Sequence, residues 1–306
     1  MRKIIIDCDP GHDDIMAIIT ALTMDVEILG FTTVAGNNTL EKITDNLLKV
    51  LDHLNIKLPV YKGYDRPMVY DPEPQPAGHG ESGLDGPVLK EAVSKAEDKS
   101  GEEFLFDTLM NNDSTTLVCL GPLTNIGYLF KNHPEVKEKI EGIYLMGGAI
   151  DGGNINKCAE FNIYHDPHAA KIVFESGVKI VMAPLEACKA GSIYLKEVDA
   201  LDGGRIVAQL VFDLFKFYGL YAIKRGWDST SIFDVLPVVY LAKPEYFTGF
   251  KADVEVVLEG EDTRGQTICH KNENGNVTVL YDANRDAFIN YFMNAIKLLD
   301  DKLSLQ

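Results

Sequence analysis

Short apolar runs alternate with stretches of helical spacing from the first residues of the chain. Ile4-Ile5-Ile6 is a compact β-branched run, and Ile15, Ile18, Ile19 and Leu22 recur after it on one helix face. The pattern repeats. Residues 26–34 read as a strand, and Ile43, Leu47, Val50, Leu51 and Leu54 as the next helix. Further strand candidates are 116–120, 143–146 and 178–182, with helical segments near 102–111, 123–132 and 166–175. Strands that are apolar along their whole length are buried on both faces. This order therefore predicts an α/β fold, a mostly parallel central sheet with helices on both sides. No Pro/Ser/Gly-rich linker and no internal repeat divides the chain, so residues 1–306 are expected to form a single domain of open, Rossmann-like type.

Two segments break the alternation. Residues 61–90 hold Pro67, Pro72, Pro74, Pro76 and Pro87 together with Gly78, Gly80, Gly83 and Gly86, and a loop that long inside a compact domain is usually functional or disordered. A second loop is expected over 147–164. Downstream, a helix near 205–224 carries Val207, Leu210, Val211, Leu214, Phe217, Tyr218 and Tyr221 on a broad stripe, most of it core. Residues 254–257 and 277–280 suggest a final hairpin or sheet edge, and 285–299 a closing helix.

Composition narrows the functional classes. The 29 basic and 46 acidic residues give a formal charge of −17, which repels phosphate backbones and argues against a nucleic-acid partner. No apolar run approaches the roughly 18 residues of a membrane helix, and Asp7 arrives too early for a signal peptide. The five cysteines are scattered and form no C-x-x-C pair, so a reduced, cytoplasmic protein with neither a zinc site nor a membrane partner is expected.

The chemistry concentrates at the end of the first strand. Asp7-Cys8-Asp9-Pro10-Gly11-His12-Asp13-Asp14 places four carboxylates within eight residues, where ligands bind in open α/β sheets. Strand alternation aims Asp7 and Asp9 to one side, and Pro10-Gly11 turns the chain so that Asp13 and Asp14 begin a helix. Helix capping accounts for one or two of these acids but not for four. A hard cation held by oxygen ligands is the natural remedy for their mutual repulsion, with calcium or magnesium favoured over zinc. Two chemistries could use such a site. One is phosphoryl transfer of the D-x-D type, although the downstream Lys and Gly-Asp-Gly loop of such phosphatases are missing. The other is attack of metal-held water on a sugar, with Asp9 as base.

The acidic run resembles the signature of the inosine–uridine-preferring nucleoside hydrolase family. Thr33-Val34-Ala35-Gly36-Asn37, His79-Gly80-Glu81-Ser82-Gly83, Gly121-Pro122-Leu123-Thr124-Asn125, Leu145-Met146-Gly147-Gly148 and Ala159-Glu160-Phe161-Asn162 are each similar to a family block, in the family's order. The match spans residues 3 to about 240, and the chain beyond 245 is placed by length alone. The resemblance implies Ca²⁺-dependent hydrolysis of ribonucleosides to ribose and free base in nucleoside salvage, by a homodimer or homotetramer. It assigns the metal to Asp9, Asp14, Asp234 and the carbonyl of Leu120. Asp9 is also implied as general base towards the water, with Asp14 and Asn162 supporting catalysis. Ribose recognition falls to Asp13, Asn37, Asn154, Glu160 and Asn162, whose mixed donors and acceptors suit hydroxyl groups. His79, Phe161, Tyr221, Arg225 and Phe233 are placed around the base. A nucleoside- or ribose-binding protein without turnover is the rival reading.

One block departs from the family. Ile232-Phe233-Asp234 stands where the family usually has Val-His-Asp, so Phe233 replaces the histidine credited with protonating the leaving base. None of the seven histidines lies near 233 in sequence; Trp227, the only tryptophan, could stack on a base. Metal and ribose machinery are complete by this comparison, and the leaving-group machinery is altered.

Overall fold

The computed structural model describes residues 1–73 and 76–305; Pro74 and the side chain of Pro76, both counted in the Pro-rich segment, lie outside the described residues. The chain begins with β1 (Arg2–Cys8), α1 (His12–Ala21), β2 (Val26–Thr33), α2 (Leu40–His53) and β3 (Val60–Lys62). The short α3 (Pro76–His79) interrupts the long loop, and α4 (Gly101–Met110), β4 (Thr115–Cys119), α5 (Thr124–Asn132) and β5 (Ile140–Met146) follow. Next come α6 (Phe161–His165), α7 (Pro167–Phe174), β6 (Ile180–Ala183), α8 (Leu185–Ala190), β7 (Ile193–Tyr194) and α9 (Leu195–Val198). The C-terminal third holds α10 (Ile206–Tyr218), α11 (Leu220–Lys224), β8 (Ser229–Thr230), α12 (Val235–Ala242), β9 (Phe247–Val256), β10 (Thr267–Lys271), β11 (Val277–Ala283) and α13 (Arg285–Leu303).

Nine strands make one sheet in the order β10-β9-β11-β6-β5-β4-β1-β2-β3. Pairing is parallel from β3 through β11, and β9 runs antiparallel to both of its neighbours. The fold class read from the sequence is thus present. The expected terminal hairpin is β9 paired with β11, with β10 added outside it as the edge. Strands β7 and β8 form a separate two-stranded ribbon.

Alternation along β1 explains the two cores. Ile4, Ile6 and Cys8 pack with residues of α1, α2, α10, α12 and α13 on one face, whereas Ile5 packs with Leu117, Cys119 and Leu145 on the other. Full burial of one such side chain stabilises the fold by roughly 1.5–3 kcal/mol, which is why the register of β1 is strongly specified. Its central place matters for chemistry as well. The chain passes from β1 to β2 on one side, and β4 lies on the other, so the strand order reverses at β1. A reversal of this kind opens a crevice beyond the carboxyl ends of the strands. Asp9 leaves β1 there, and Leu120 leaves β4 beside it.

One expectation about the surface is corrected. Ile206–Lys224 is long and apolar enough by composition to cross a membrane, contrary to the expectation that no such run is present. In the fold it breaks at Gly219 into α10 and α11, and half of it is buried. Val207, Leu210, Val211 and Leu214 enter the core as the stripe predicts, whereas Tyr221, past the break, is 46% exposed. The N-terminus of α10 has no cap of its own. Asp300 of α13 accepts from Val207 N–H at 2.8 Å and Ala208 N–H at 3.2 Å instead.

Candidate active site

The acidic signature folds as its residue types dictate. Pro10 and Gly11 end β1, and Asp14 becomes the third residue of α1, accepting from Gly11 N–H at 2.9 Å and from Asp9 N–H at 3.2 Å. Asp14 therefore caps the helix, as a carboxylate in a first turn should. It is also one of three acids, with Asp13 and Asp234, whose carboxylate oxygens lie within 4.8 Å of one another. Asp234 is brought to them by α12, which packs on α1. All three, and Asp9 beside them, are at most 6% exposed.

Burial without countercharge shifts every one of these groups. Desolvation first, and the Asp14 charge second, raise Asp13 to about 7; desolvation likewise raises Asp14 to about 6 against several hydrogen bonds that lower it. Asp9 and Asp234 are pushed well above the carboxylate range by burial and then by their acidic neighbours. Among the described residues none of the four forms an ion pair with a Lys or Arg. Four buried carboxylates in this state suit a hard cation, which would supply the missing charge.

The grouping differs in one member from the set inferred by resemblance. Asp13, assigned to ribose, joins the trio, and Asp9 stands next to it. The reason is local. Asp9 Oδ2 accepts from Asn37 N–H at 2.8 Å, and Asn37 Nδ2–H donates to the Asp9 carbonyl at 3.0 Å, so Asn37 holds Asp9 at both ends. A Cβ on Gly36 would fall 2.1 Å from Asp9 Oδ2 and one on Gly121 2.6 Å from Oδ1, so both positions need glycine to leave the carboxylate its room. Asp7 takes another path: it accepts from Asn125 Nδ2–H at 2.6 Å and from Thr32 Oγ1–H, and burial raises it to about 7.

The remaining predicted residues come from the 147–164 loop and the long loop. Asn162 Nδ2–H donates to the Leu120 carbonyl at 2.8 Å and to the Met146 carbonyl at 3.2 Å, tying the carbonyl assigned to the metal to the loop assigned to ribose. Glu160 caps α6, accepting from Asn162 N–H at 2.8 Å, Gly148 N–H at 3.0 Å and Ile163 N–H at 3.3 Å; burial raises it to about 7. Asn154 accepts from Phe161 N–H at 3.0 Å across the same loop, and the Phe161 ring lies 5.5 Å from that of His165. His79 stacks on His12 at 5.2 Å between centroids, and Tyr218 stands 6.0 Å from it. Tyr218 in turn donates towards Asp13 Oδ2 at 3.3 Å and the Ser231 carbonyl at 3.0 Å. Burial lowers His79 to about 3 and His12 to about 4.

Other residues named from the sequence make their contacts away from the acids. Tyr221, Arg225 and Trp227 form their own exposed cluster on and after α11, with the Arg225 guanidinium 3.6 Å from the Tyr221 ring and 5.7 Å from that of Trp227. Phe233 is half-buried against the larger core, and its carbonyl accepts from Cys188 Sγ–H at 3.8 Å. The His12 and Tyr218 side chains also face this site, although the sequence marks neither, one lying in the acidic run and the other in an apolar stripe. A groove of about 650 Å³, lined by Phe250, Lys271 and Tyr281 among others, lies on the antiparallel flank and includes none of Asp9, Asp13, Asp14 and Asp234.

A buried acidic group at the switch point of a parallel sheet, surrounded by amide side chains, suits a hydrolase that works on a polyol with the help of a cation. The chain belongs to the inosine-uridine preferring nucleoside hydrolase family, whose model matches residues 4–290. It is 36% identical over 304 residues to the pyrimidine-specific ribonucleoside hydrolase RihA of Escherichia coli O7:K1, covering 96% of this chain and 98% of that one. The RihA of Klebsiella pneumoniae is 39% identical over 296 residues, covering 94% and 95%. Among solved structures, a purine-preferring ribonucleoside hydrolase from Gardnerella vaginalis superposes with a TM-score of 0.91 at 31% identity, over 98% of this chain and 100% of that chain. The protein is thus a hydrolase acting on N-glycosyl compounds, and the phosphatase alternative is set aside.

Proposed function

We propose that this protein hydrolyses the N-glycosidic bond of ribonucleosides with the aid of Ca²⁺ and with Asp9 as general base. The observation that carries the reading is the set of four buried carboxylates with no cationic partner among the described residues. Asp9, Asp14, Asp234 and the Leu120 carbonyl are the proposed holders of the ion, and Asp13 is a fifth candidate by its place in the trio. Bound there, calcium would acidify water and accept ribose hydroxyls, for which a shell of six to eight oxygens leaves room.

The chain's own groups do the rest. Asp9, fixed by Asn37 and flanked by glycines, takes the water proton at its carboxylate. Asn162 orients the Leu120 carbonyl while belonging to the ribose-facing set with Asp13, Asn37, Asn154 and Glu160. As positive charge grows on the ribose, hydrogen bonds from its hydroxyls to these acids strengthen, which favours the transition state over the ground state. Phe161, Tyr221, Arg225, Phe233 and His79 are proposed to meet the base. Phe233 offers packing but no proton, so departure depends on the leaving group's own quality. The same reading places the enzyme in the cytoplasm, in nucleoside salvage, as a homodimer or homotetramer.

Three measurements test it together. Elemental analysis of purified protein should find calcium, and chelation should abolish release of free ribose from a nucleoside panel. Asp9→Asn at saturating calcium should cost about 10²–10⁴-fold in kcat, the usual contribution of a general base. Full activity of the metal-free protein would overturn the mechanism. Nucleoside binding without any ribose release would favour the binding protein instead.

A further inference from the structure

Arg264 lies in the connection between β9 and β10, a region from which the sequence pattern draws no function. Its guanidinium sits between two aromatic faces, 3.6 Å from the Tyr70 ring centroid and 4.1 Å from that of Tyr164. Both are well inside the ~6 Å reach of a cation–π contact. Nη1–H donates to Glu73 Oε1 at 3.0 Å, and the Tyr164 hydroxyl donates to the other Glu73 oxygen at 3.3 Å. The side chain is 11% exposed, and its Nε and Nη2 are buried without a partner among the described residues. Burying unpaired N–H groups is costly, so the two ring faces and the carboxylate are what hold the guanidinium there.

The backbone around it is equally constrained. Gly265 has φ +78°, and a Cβ on it would fall 2.4 Å from Tyr164 Cα, so the connection is pressed directly onto α6. The Arg264 carbonyl accepts from Asn156 Nδ2–H at 3.0 Å, Lys157 pairs with Asp262 at 2.5 Å, and the Tyr70 hydroxyl donates to the Leu258 carbonyl at 2.8 Å. Three segments meet at this point. One is 70–73, which leads towards α3 and His79. The second is 154–165, which carries Asn154, Glu160, Phe161 and Asn162. The third is the β9–β10 connection itself.

We propose that Arg264 is a positioning residue that clamps the 70–73 segment and the 154–165 loop in register with each other, by filling the slot between Tyr70 and Tyr164. Its catalytic consequence rests on the ribonucleoside hydrolase reading above; the clamp itself does not. The planar group is the essential feature. Lysine can pair with Glu73, but it has no flat surface to fill a slot between two rings.

Hydrogen exchange on the full-length protein, read beside steady-state turnover, tests this. In Arg264→Ala, peptides covering 66–73 and 153–165 should exchange about tenfold faster, while α13 keeps its protection. Arg264→Lys should loosen the same two segments despite keeping the charge. Ribonucleoside kcat/KM should fall by about 10–100-fold in both variants, since misplacement of positioning groups is felt in the transition state. Unchanged exchange in the two segments, or a uniform rise throughout the chain, overturns the clamp. If Arg264→Ala does not fold, Tyr70→Leu removes one ring face with the arginine in place, and the same criteria apply. Loosened segments in a protein whose parent releases no ribose would sink the hydrolase reading and leave the clamp standing; sound turnover with unaltered exchange would do the reverse.

Discussion

Gly36 stands where Asp9 needs room. A methyl group on it would lie 2.1 Å from Asp9 Oδ2 and 2.8 Å from Cδ of Pro122. Ordinary contact starts at 3.4 Å, so the carboxylate in Gly36→Ala has to retreat by about 1.3 Å. Room for that retreat is small, since the Gly121 backbone also lies close to the carboxylate: a Cβ on it would come within 2.6 Å of Oδ1. Retreat also draws Oδ2 away from the Asn37 N–H, now at 2.8 Å. Misplacing a reacting group by about 1 Å costs on the order of 10²-fold, so kcat for a ribonucleoside should fall by at least that factor. Overpacking should cost about 1–3 kcal/mol of stability as well, which is why the rate is to be measured well below the unfolding transition, on protein with wild-type circular dichroism. Gly142→Ala on β5 is the control, since its nearest neighbour, the Lys179 carbonyl oxygen, lies at 3.4 Å and has no need to move. A folded, calcium-saturated Gly36→Ala enzyme within a few-fold of wild-type kcat would refute the assignment of Asp9 as base.

Ribonucleosides should be preferred over 2′-deoxyribonucleosides by about 10⁴-fold in kcat/KM, because a site built for a hydroxyl is left with unpaired groups when that hydroxyl is missing; equal values for uridine and deoxyuridine would contradict the ribose pocket. Phe233→His should gain more on inosine than on p-nitrophenyl riboside, whose phenolate leaves without a proton, with a gain of up to roughly 10²–10⁴-fold. Equal gains on the two substrates would show that proton donation is not what position 233 controls. Away from the site, Asp52 accepts from the hydroxyl and the N–H of Ser94, which chiefly hold its carboxyl down at about 2, and from Val93 N–H at 2.6 Å. A depressed carboxyl stabilises the fold above its ordinary value of 3.8 and loses that contribution as pH falls towards 2, so urea midpoints should drop between pH 4 and 2, less so in Asp52→Asn. Identical pH slopes for the two proteins would rule this out.

The central strands were legible because they are apolar on both faces, and a run such as Ile4-Ile5-Ile6 has no competing interpretation. Strand β10 was not, since its later residues face solvent and no apolar run marks it. The helical stripe through 207–221 looks continuous in sequence, but the helix is interrupted at Gly219 and Tyr221 beyond it is exposed. At the site, the acids announced themselves by density, and Phe233 by its departure from a block. What the sequence did not reveal was partnership. Nothing in the order of residues says that Asn37 holds Asp9, that Tyr218 reaches Asp13, or that His12 lies against His79, because those contacts join segments between 28 and 205 positions apart. Arg264 is the extreme case: its neighbours come from residues 70–73 and 164, and neither stretch points towards it.

The acidic trio draws Asp13 and Asp14 from the first turn of α1 and Asp234 from the start of α12, roughly 220 residues later. Closing so long a loop costs only slightly more entropy than closing a short one, so distance along the chain is not the obstacle. Timing is. During synthesis the N-terminal acids emerge first and wait, unneutralised, until α12 has been made and docked on α1. A cation that needs both halves can be gripped only by a chain in which α1 and α12 already sit side by side, and its binding energy then goes to that arrangement alone. An ion bound there would be a clasp fastened late, rewarding the finished molecule and passing over every truncated one.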